Sequence, residues 1–302
     1  MTIRQNRKFK DKFTHYISRF FSNLIIILLV LIALGLFIKA FPILQSNSLK
    51  ELLFSSEWMP FKHKFGLFPF ILSTVLVTLI AITIALPLSI LTAIYLTEFA
   101  RKKVLSLILP FIDILAGLPS VIYGIWGVIF IVPIIKNNLA PLFNVSTTGY
   151  SLLAGGVVLA IMIIPIIIHV TIEVLKNIPN ELKEASLSLG ATYWETIKFV
   201  VLRKALPGII AAAVLGVSRA FGETLAVLMV VGNVVQIPTS LFDSAYPLPA
   251  LIANNYGEMM SIPMYDSALM FAAFILLLII VFFNIISRMI LMRIEKKYFI
   301  KN

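Results

Sequence analysis

Six stretches of this chain are long and apolar enough to cross a membrane, and they decide what it can fold into. They cover about residues 24–44, 66–96, 119–135, 152–170, 205–231 and 268–292. A hydrocarbon core about 30 Å thick takes roughly 20 helical residues, and only helices or closed barrels satisfy the backbone there. With 60% hydrophobic residues in 302, the chain has more apolar side chains than a soluble core uses. The sequence therefore predicts an all-α fold, a polytopic membrane bundle of six transmembrane helices.

The third stretch is preceded by further apolar residues from about residue 104, too many for one span. Asp113 and the pair Pro119-Ser120 interrupt them. We expect a separate lead-in piece containing Asp113, with the span itself beginning near Pro119. Asp113 is interpreted as a helix cap or a partner of a nearby Lys or Arg. Two interpretations of Pro119-Ser120 stay open: a helix break whose free amides face a path, or a proline of the kind common in spans.

Positive charge predicts the orientation of the bundle. Lys and Arg are concentrated in residues 1–23, 97–103, 173–204 and 288–301, whereas residues 232–267 contain none. By the positive-inside rule the first group is cytoplasmic, both termini included, and the 232–267 loop is outside. We expect a cytoplasmic amino-terminal segment, 1–23, and one membrane domain, 24–302.

Several function classes are disfavoured by what the sequence lacks. It has no cysteine, and its three histidines are far apart, so we expect neither a catalytic thiolate nor a metal site. His169 is interpreted as an interfacial residue rather than a proton relay. No phosphate-binding loop of the type G-x-x-x-x-G-K-[ST] occurs. The net charge of +11 lies beside the apolar stretches, which favours topology and anionic lipid over nucleic acid. We expect no cofactor and no catalytic residue.

Two charged residues lie within the fifth stretch. Arg219 is near its middle, where an ionised side chain costs roughly 2.5 to 3.5 kcal/mol, and Glu223 follows at a spacing that places both on one helix face. We interpret the pair as part of a substrate path; the alternative is a structural ion pair that fixes helix register. Small residues at four-residue steps predict close approach by another helix: Gly208, Ala212, Gly216, Ala220 and Thr224.

The polar loop 173–204 is too long to be a simple connection. Leu182, Ala185 and Leu189 recur at helical spacing, Gly190 interrupts them, and a second amphipathic pattern begins at Trp194. Periodicity alone leaves two interpretations, a docking surface for a cytoplasmic protein or two helices lying on the lipid.

The segment Glu184-Ala185-Ser186, followed by Gly190, resembles the EAA motif of ABC importer permeases. The resemblance implies the type I importer permease fold and a coupling helix that docks on cytoplasmic ATPases through these four residues. This chain departs from the motif in Ser186, which replaces an alanine, and in Arg203, where proline is usual. Pro207 is expected to provide the helix break instead.

Further segments resemble the PstC family, the permeases of phosphate-specific ABC importers, over about residues 55–292. They are Glu57–Pro60, Phe65–Ile71, Leu115–Gly124, Arg219–Val227 and Gly232-Asn233. The resemblance implies a permease core at about 66–292 in the cytoplasmic (inner or plasma) membrane of a bacterium. It also implies a path for inorganic phosphate, with ATP hydrolysis on other subunits. The implied partners are a homologous PstA-like permease, two PstB-like ATPases and an extracytoplasmic PstS-like phosphate-binding protein.

Three alternatives remain at the level of sequence. A secondary, proton-coupled anion carrier would use Arg219, Glu223 and Asp113 as a relay and would transport without ATP. An ABC importer permease for another oxyanion is the second alternative, because the EAA-like segment alone indicates only an ABC importer. A membrane scaffold would recruit a cytoplasmic enzyme through the 173–204 loop, which leaves the charges of the fifth stretch without a role.

Overall fold

A computed structural model describes the backbone of residues 3–258 and 262–299 and the side chains of residues 15–258 and 262–293. Six helices within these ranges are long and apolar enough to cross a membrane. They are His15–Ser46, Phe68–Phe99, Ser120–Leu142, Leu152–Lys176, Tyr193–Phe221 and Tyr265–Arg293. The predicted all-α bundle with six spans is therefore confirmed.

Most elements are joined by short connections, and the longest connection within the described ranges is formed by residues 229–247. In chain order they are α1 (Ile3–Ser46), α2 (Leu49–Phe54), β1 (Trp58–Met59), β2 (Lys64–Phe65), α3 (Phe68–Phe99), α4 (Lys102–Gly117), α5 (Ser120–Leu142), α6 (Leu152–Lys176), α7 (Asn180–Ser188), α8 (Tyr193–Phe221), α9 (Leu225–Leu228), α10 (Leu248–Asn255) and α11 (Tyr265–Phe299). Strands β1 and β2 form a small antiparallel hairpin, in which Trp58 pairs with Phe65 and Met59 with Lys64.

Helix α6 is the most buried of the six spans and packs against both α3 and α8. Glycines allow this close approach. A Cβ added at Gly156 would lie 2.4 Å from Cγ2 of Ile80 on α3, and one at Gly208 on α8 would lie 2.4 Å from Cγ1 of Val174. Helices α1 and α11 pack on each other at the periphery, where α1 is largely exposed. The glycines thus set the spacing of the inner three helices.

The segment between α9 and α10 covers the amino-terminal end of α6. Three successive amides at that end donate to carbonyl groups of this segment: Ser151 to Val230 at 3.2 Å, Leu152 to Asp243 at 2.8 Å and Leu153 to Leu241 at 2.9 Å. The first amides of a helix have no partner within the helix, so the loop satisfies groups that would otherwise be costly to bury.

Asp243 holds this covering segment in shape. Its Oδ2 accepts hydrogen bonds from the amides of Thr239 and Ser240, both at 2.8 Å, and from Oγ1 of Thr239 at 2.9 Å. Partial burial raises the pKa of Asp243, but the hydrogen bonds from Ser240 and Thr239 outweigh it, and the pKa lies below its ordinary value.

The break predicted before the third span is confirmed, because α4 ends at Gly117 and α5 begins at Ser120. The prediction for the fifth stretch is wrong at both ends. Helix α8 begins at Tyr193, where Thr192 and Glu195 form a capping box, and ends at Phe221 rather than near residue 231.

The predicted second amphipathic helix of the 173–204 loop is consequently the first part of α8. Pro207 lies inside α8 and does not break it, which corrects a further prediction. A proline is tolerated within a spanning helix because neighbouring groups compensate for its missing amide. Amphipathic periodicity does not distinguish a separate surface helix from the extension of a span.

Candidate functional site

Arg219 lies in the last turn of α8, on a face that the rest of the chain leaves exposed. Leu215 and Ala211, one and two turns earlier, are exposed on the same face; we call these three residues the exposed stripe. The carbonyl groups of the last helical turn carry partial negative charge, which favours a cation at this position. The guanidinium is therefore positioned by a helix end within otherwise apolar surroundings.

Glu223 lies beyond the end of α8 and does not pair with Arg219, so the predicted ion pair on one helix face is wrong. Among the described side chains no ion pair includes either residue. Oε1 of Glu223 instead accepts a hydrogen bond from the amide of Ala226 at 3.3 Å. The helix ends before Gly222, a residue that disfavours helix by about 1 kcal/mol relative to alanine.

Glu223 also lines a small cavity between α3, α6 and the end of α8. Its volume is about 10 Å³, room for roughly one water. Thr74 and Thr78 of α3 line it as well, although each hydroxyl already donates to a backbone carbonyl of α3, at 2.7 and 2.8 Å. Glu223 thus faces the interior of the chain, whereas Arg219 faces away from it.

The small residues of the fifth stretch behave as predicted up to the end of α8. Ala212, Gly216 and Ala220 are buried, and a Cβ added at Gly216 would lie 2.6 Å from Cδ1 of Ile167 on α6. Thr224 lies outside the helix. The helix that approaches closely is therefore α6, and the exposed stripe lies on a different face of α8.

The predicted coupling residues are on and just after α7. Glu184, Ala185 and Ser186 lie within the helix, and Gly190 follows it with φ at +85°, a conformation that side chains rarely adopt. Oγ of Ser186 is 2.9 Å from Oγ1 of Thr196, so the serine that departs from the motif joins α7 to α8.

The apolar side chains of α7 are not covered by the rest of the chain. Leu182, Leu187 and Leu189 are all exposed, Leu189 to 89%. Together with Glu184 and Ala185, which are also exposed, they form a continuous outer surface of this short helix. Exposed apolar groups of this kind mark a surface for another protein or for lipid.

A buried ion pair holds α7 against the end of α3, and sequence reasoning missed it. Nζ of Lys183 donates to both carboxylate oxygens of Glu98 at 2.8 Å, and the Glu98 side chain is only 1% exposed. The hydroxyl of Tyr193 donates to the Glu98 carbonyl at 2.8 Å. The sequence signal that could have indicated this pair is Glu98 itself, a glutamate directly after the second apolar stretch.

Asp113 pairs with a histidine rather than with the Lys or Arg expected from the sequence. Nδ1 of His169 is 2.8 Å from Oδ1 of Asp113, an ion-pair distance. No hydrogen bond or ion pair among the described side chains joins any two of Arg219, Glu223 and Asp113. The relay required by a proton-coupled carrier is therefore not assembled in this conformation.

Residues 85–296 match the family model described as "Binding-protein-dependent transport system inner membrane component". This match covers more than half of the chain. The chain belongs to this family. It is a multi-pass inner membrane protein and a permease subunit of the ABC importer type.

Several curated relatives of this inner membrane component are similar over most of their length. The phosphate transport system permease protein PstC of Xylella fastidiosa is 37% identical over 81% of this chain and 79% of the relative. PstC of Mesorhizobium japonicum is 36% identical over 95% of this chain and 91% of the relative. The probable ABC transporter permease YqgH of Bacillus subtilis is 39% identical over 85% and 83%. The PstC resemblance seen in the motifs thus extends over most of the chain.

Solved structures show the same fold at lower identity. A chain of the MetNI methionine ABC transporter, in an inward-facing conformation, aligns with a TM-score of 0.56 at 19% identity, covering 74% of this permease and 93% of that chain. A bacterial ABC transporter for the import of alginate gives a TM-score of 0.53 at 16% identity, covering 80% and 87%. The type I importer permease fold is therefore confirmed.

The permease carries its two candidate sites at opposite ends of one helix. Helix α8 begins beside α7 at Tyr193 and reaches Arg219 after about 39 Å at 1.5 Å per residue. The coupling motif and the exposed arginine are thus connected by a single continuous element.

Proposed function

We propose that this chain is the transmembrane permease subunit of an ATP-driven importer of inorganic phosphate. The observation that carries the proposal is Arg219, an exposed cation on an apolar helix face of a chain whose relatives are named phosphate transport system permeases. A charge within a membrane-spanning helix usually marks a substrate pathway.

A second, PstA-like permease covers the exposed stripe in this proposal, and phosphate passes between the two chains. Arg219 offers a positive charge to the anion, and that charge is available because no carboxylate among the described side chains pairs with it. The sequence predicts that Glu223 lies in the path together with Arg219. In this proposal Glu223 acts from inside the chain, where its hydrogen bond with the Ala226 amide holds the turn that follows Arg219. A PstS-like binding protein delivers phosphate on the side of the segment between α9 and α10.

Two PstB-like ATPases bind the α7 surfaces of this permease and its partner, and they hydrolyse the ATP. Glu184, Ala185, Ser186 and Gly190 form the docking element. The Glu98–Lys183 ion pair and the Ser186–Thr196 contact support this role, because they fix α7 to α3 and α8. A displacement of α7 therefore moves the helix that carries Arg219. In this arrangement α7 and both termini are cytoplasmic.

Uptake of radiolabelled phosphate into cells or proteoliposomes tests the proposal. The chain is expressed with its genomic partner permease, ATPase and binding protein, and each component is left out in turn. We expect uptake that requires ATP and all components, and that excess unlabelled phosphate but not sulfate competes. Uptake by this chain alone, or sulfate uptake of equal rate, would contradict the proposal.

A further inference from the structure

A groove of about 640 Å³ lies between α8 and α11. It is lined by Ala211, Val214, Asn284, Arg288, Leu291 and Met292. Ala211 belongs to the exposed stripe, so the groove continues the surface that carries Arg219. Each water occupies about 30 Å³ in the liquid, so the groove has room for a tetrahedral oxyanion with much of its hydration shell.

Arg288 is the cationic residue of this groove. Its side chain is exposed and has no hydrogen-bond or ion-pair partner among the side chains that the structure describes. Four of the other lining residues are apolar, and the remaining one, Asn284, is polar. A guanidinium presents several N–H donors in a planar fork that matches the oxygen atoms of phosphate.

A hydrogen bond between α8 and α11 shows how far apart Arg219 and Arg288 lie along the helix axes. Oγ of Ser218, the residue before Arg219, donates to Oδ1 of Asn284 at 2.6 Å. Arg288 follows Asn284 by four residues, or about 6 Å along α11. Because α8 and α11 run in opposite directions, this step leads back along α8 from Ser218 to Val214, towards the end that carries α7.

We propose that Arg288, with Asn284, forms a second oxyanion site, which inorganic phosphate occupies after it leaves Arg219 on its way to the α7 end. The inference rests on the proposed function and deepens it by adding a step to the path. In this proposal the anion passes from Arg219 to Arg288, so that neither cation has to hold it too tightly to release it. Conduction generally requires such a series of moderate sites.

The first experiment uses the complete reconstituted importer with Arg288→Gln and Arg288→Lys. Arg293→Gln is the control, because it removes a cation one helical turn further along α11 that does not line the groove. We expect Arg288→Gln to lower the maximal uptake rate about tenfold, the effect of losing one charge-assisted contact. Arg288→Lys retains most of the rate, and Arg293→Gln is unchanged. Equal rates for all three variants and the parent would overturn the inference.

A second measurement detects the anion directly and separates transported phosphate from a lipid headgroup. The chain has no cysteine, so the Ala211→Cys variant places a single thiol in the groove. Inorganic phosphate, compared with chloride at equal ionic strength, is expected to slow its reaction with a soluble maleimide in the intact complex. Combining this change with Arg288→Gln should abolish the protection. Protection by anionic lipid vesicles that free phosphate does not reproduce would assign the groove to a headgroup and overturn the inference.

The two proposals fail in different ways. A parent importer that transports no phosphate overturns the proposed function and this site with it. A parent importer that transports phosphate at a rate unaffected by Arg288→Gln overturns the second site alone.

Discussion

The guanidinium of Arg219 is placed by the geometry of a helix end. Its neighbours along the exposed stripe are apolar, and the last carbonyls of α8 compensate part of its charge. A cation held in this way keeps its hydrogen-bond donors free, whereas one paired with Glu223 would have them occupied. The role of the residue therefore depends on its charge and on its position, and the two can be tested separately.

Neutralising Arg219 is expected to abolish phosphate uptake without destabilising the chain. Arg219→Gln loses the charge, but it leaves no buried carboxylate unpaired, because Glu223 already bonds to the Ala226 amide. Arg219→Lys is the matched control that keeps the charge and should retain partial uptake. Uptake at equal membrane abundance and the thermal unfolding temperature are measured together.

Exchanging the two charges, Arg219→Glu with Glu223→Arg, should not restore transport. The exchange places an arginine in a water-sized interior cavity and removes the acceptor of the Ala226 amide, at a cost of at least about 1 kcal/mol. A doubly exchanged variant with near-native uptake would mean that the two residues do act as an ion pair.

Two substitutions of Gly190 distinguish the effect of backbone strain from the effect of side-chain bulk at the proposed docking surface. No atom lies within 4 Å of an added Cβ, but φ of +85° strains most side chains. Gly190→Val should reduce both folding of the turn and uptake. Gly190→Asn, which tolerates positive φ, tests bulk more selectively. If bulk prevents docking, Gly190→Asn inserts normally but no longer co-purifies with the ATPase; normal co-purification and uptake would restrict the role of Gly190 to the turn.

At the scale of elements, a buried ion pair helps to attach α7 to the bundle. Glu98 is almost fully buried and Lys183 is mostly so. Removing one partner leaves a buried charge uncompensated, which commonly costs about 3 to 5 kcal/mol, whereas replacing both by apolar groups is often tolerated.

We therefore expect Glu98→Leu and Lys183→Met each to lower the unfolding temperature, and the double variant, in which both groups are apolar, to recover stability. If the pair transmits movement, the stable double variant should still hydrolyse ATP while uptake falls. Thermal unfolding, ATPase activity and uptake are compared for all four proteins. Uptake that recovers together with stability would limit the pair to a structural role.

The spans could be predicted from the sequence because hydropathy over about 20 residues is a strong and local signal. The end of α8 could not be predicted in the same way. The apolar run continues through Leu225–Leu228, although the helix has already ended before Gly222. The Glu98–Lys183 pair joins positions that are 85 residues apart, and no pattern in a single sequence connects them. The motif residues of α7 were recognisable because they are consecutive; the Arg288 groove depends on the packing of two distant helices.

At the scale of the whole molecule, the orientation in the membrane is a prediction from charge alone, and cysteine labelling tests it. Val235→Cys is in the exposed part of the segment between α9 and α10, and Ser188→Cys is at the end of α7. In intact cells an impermeant thiol reagent should label the first variant and not the second. Ser244, the more central position of the segment, is half-buried and donates to the Tyr150 carbonyl, which makes it a poorer probe.

Low pH should destabilise the segment between α9 and α10, which covers the amino-terminal end of α6. The pKa of Asp243 is lowered in the folded chain, so its hydrogen bonds stabilise the fold above its ordinary value of 3.8 and are lost as pH falls through the folded pKa. Thermal unfolding measured from pH 7 downwards should show a steeper fall below about pH 4 for the parent than for Asp243→Asn. Parallel curves for the two proteins would contradict this assignment.

The glycine contacts around α6 have a mechanical consequence. At Gly156, Gly208 and Gly216 the neighbouring side chain occupies the space where a Cβ would be, at 2.4 to 2.6 Å. Helices meshed this closely can neither slide nor rotate past one another without collision, because packed interiors have little free volume. Helices α3, α6 and α8 should therefore move as one rigid body. The transport path would then open when this rigid body tilts against its partner chain, and α7 would transmit the movement from the ATPase.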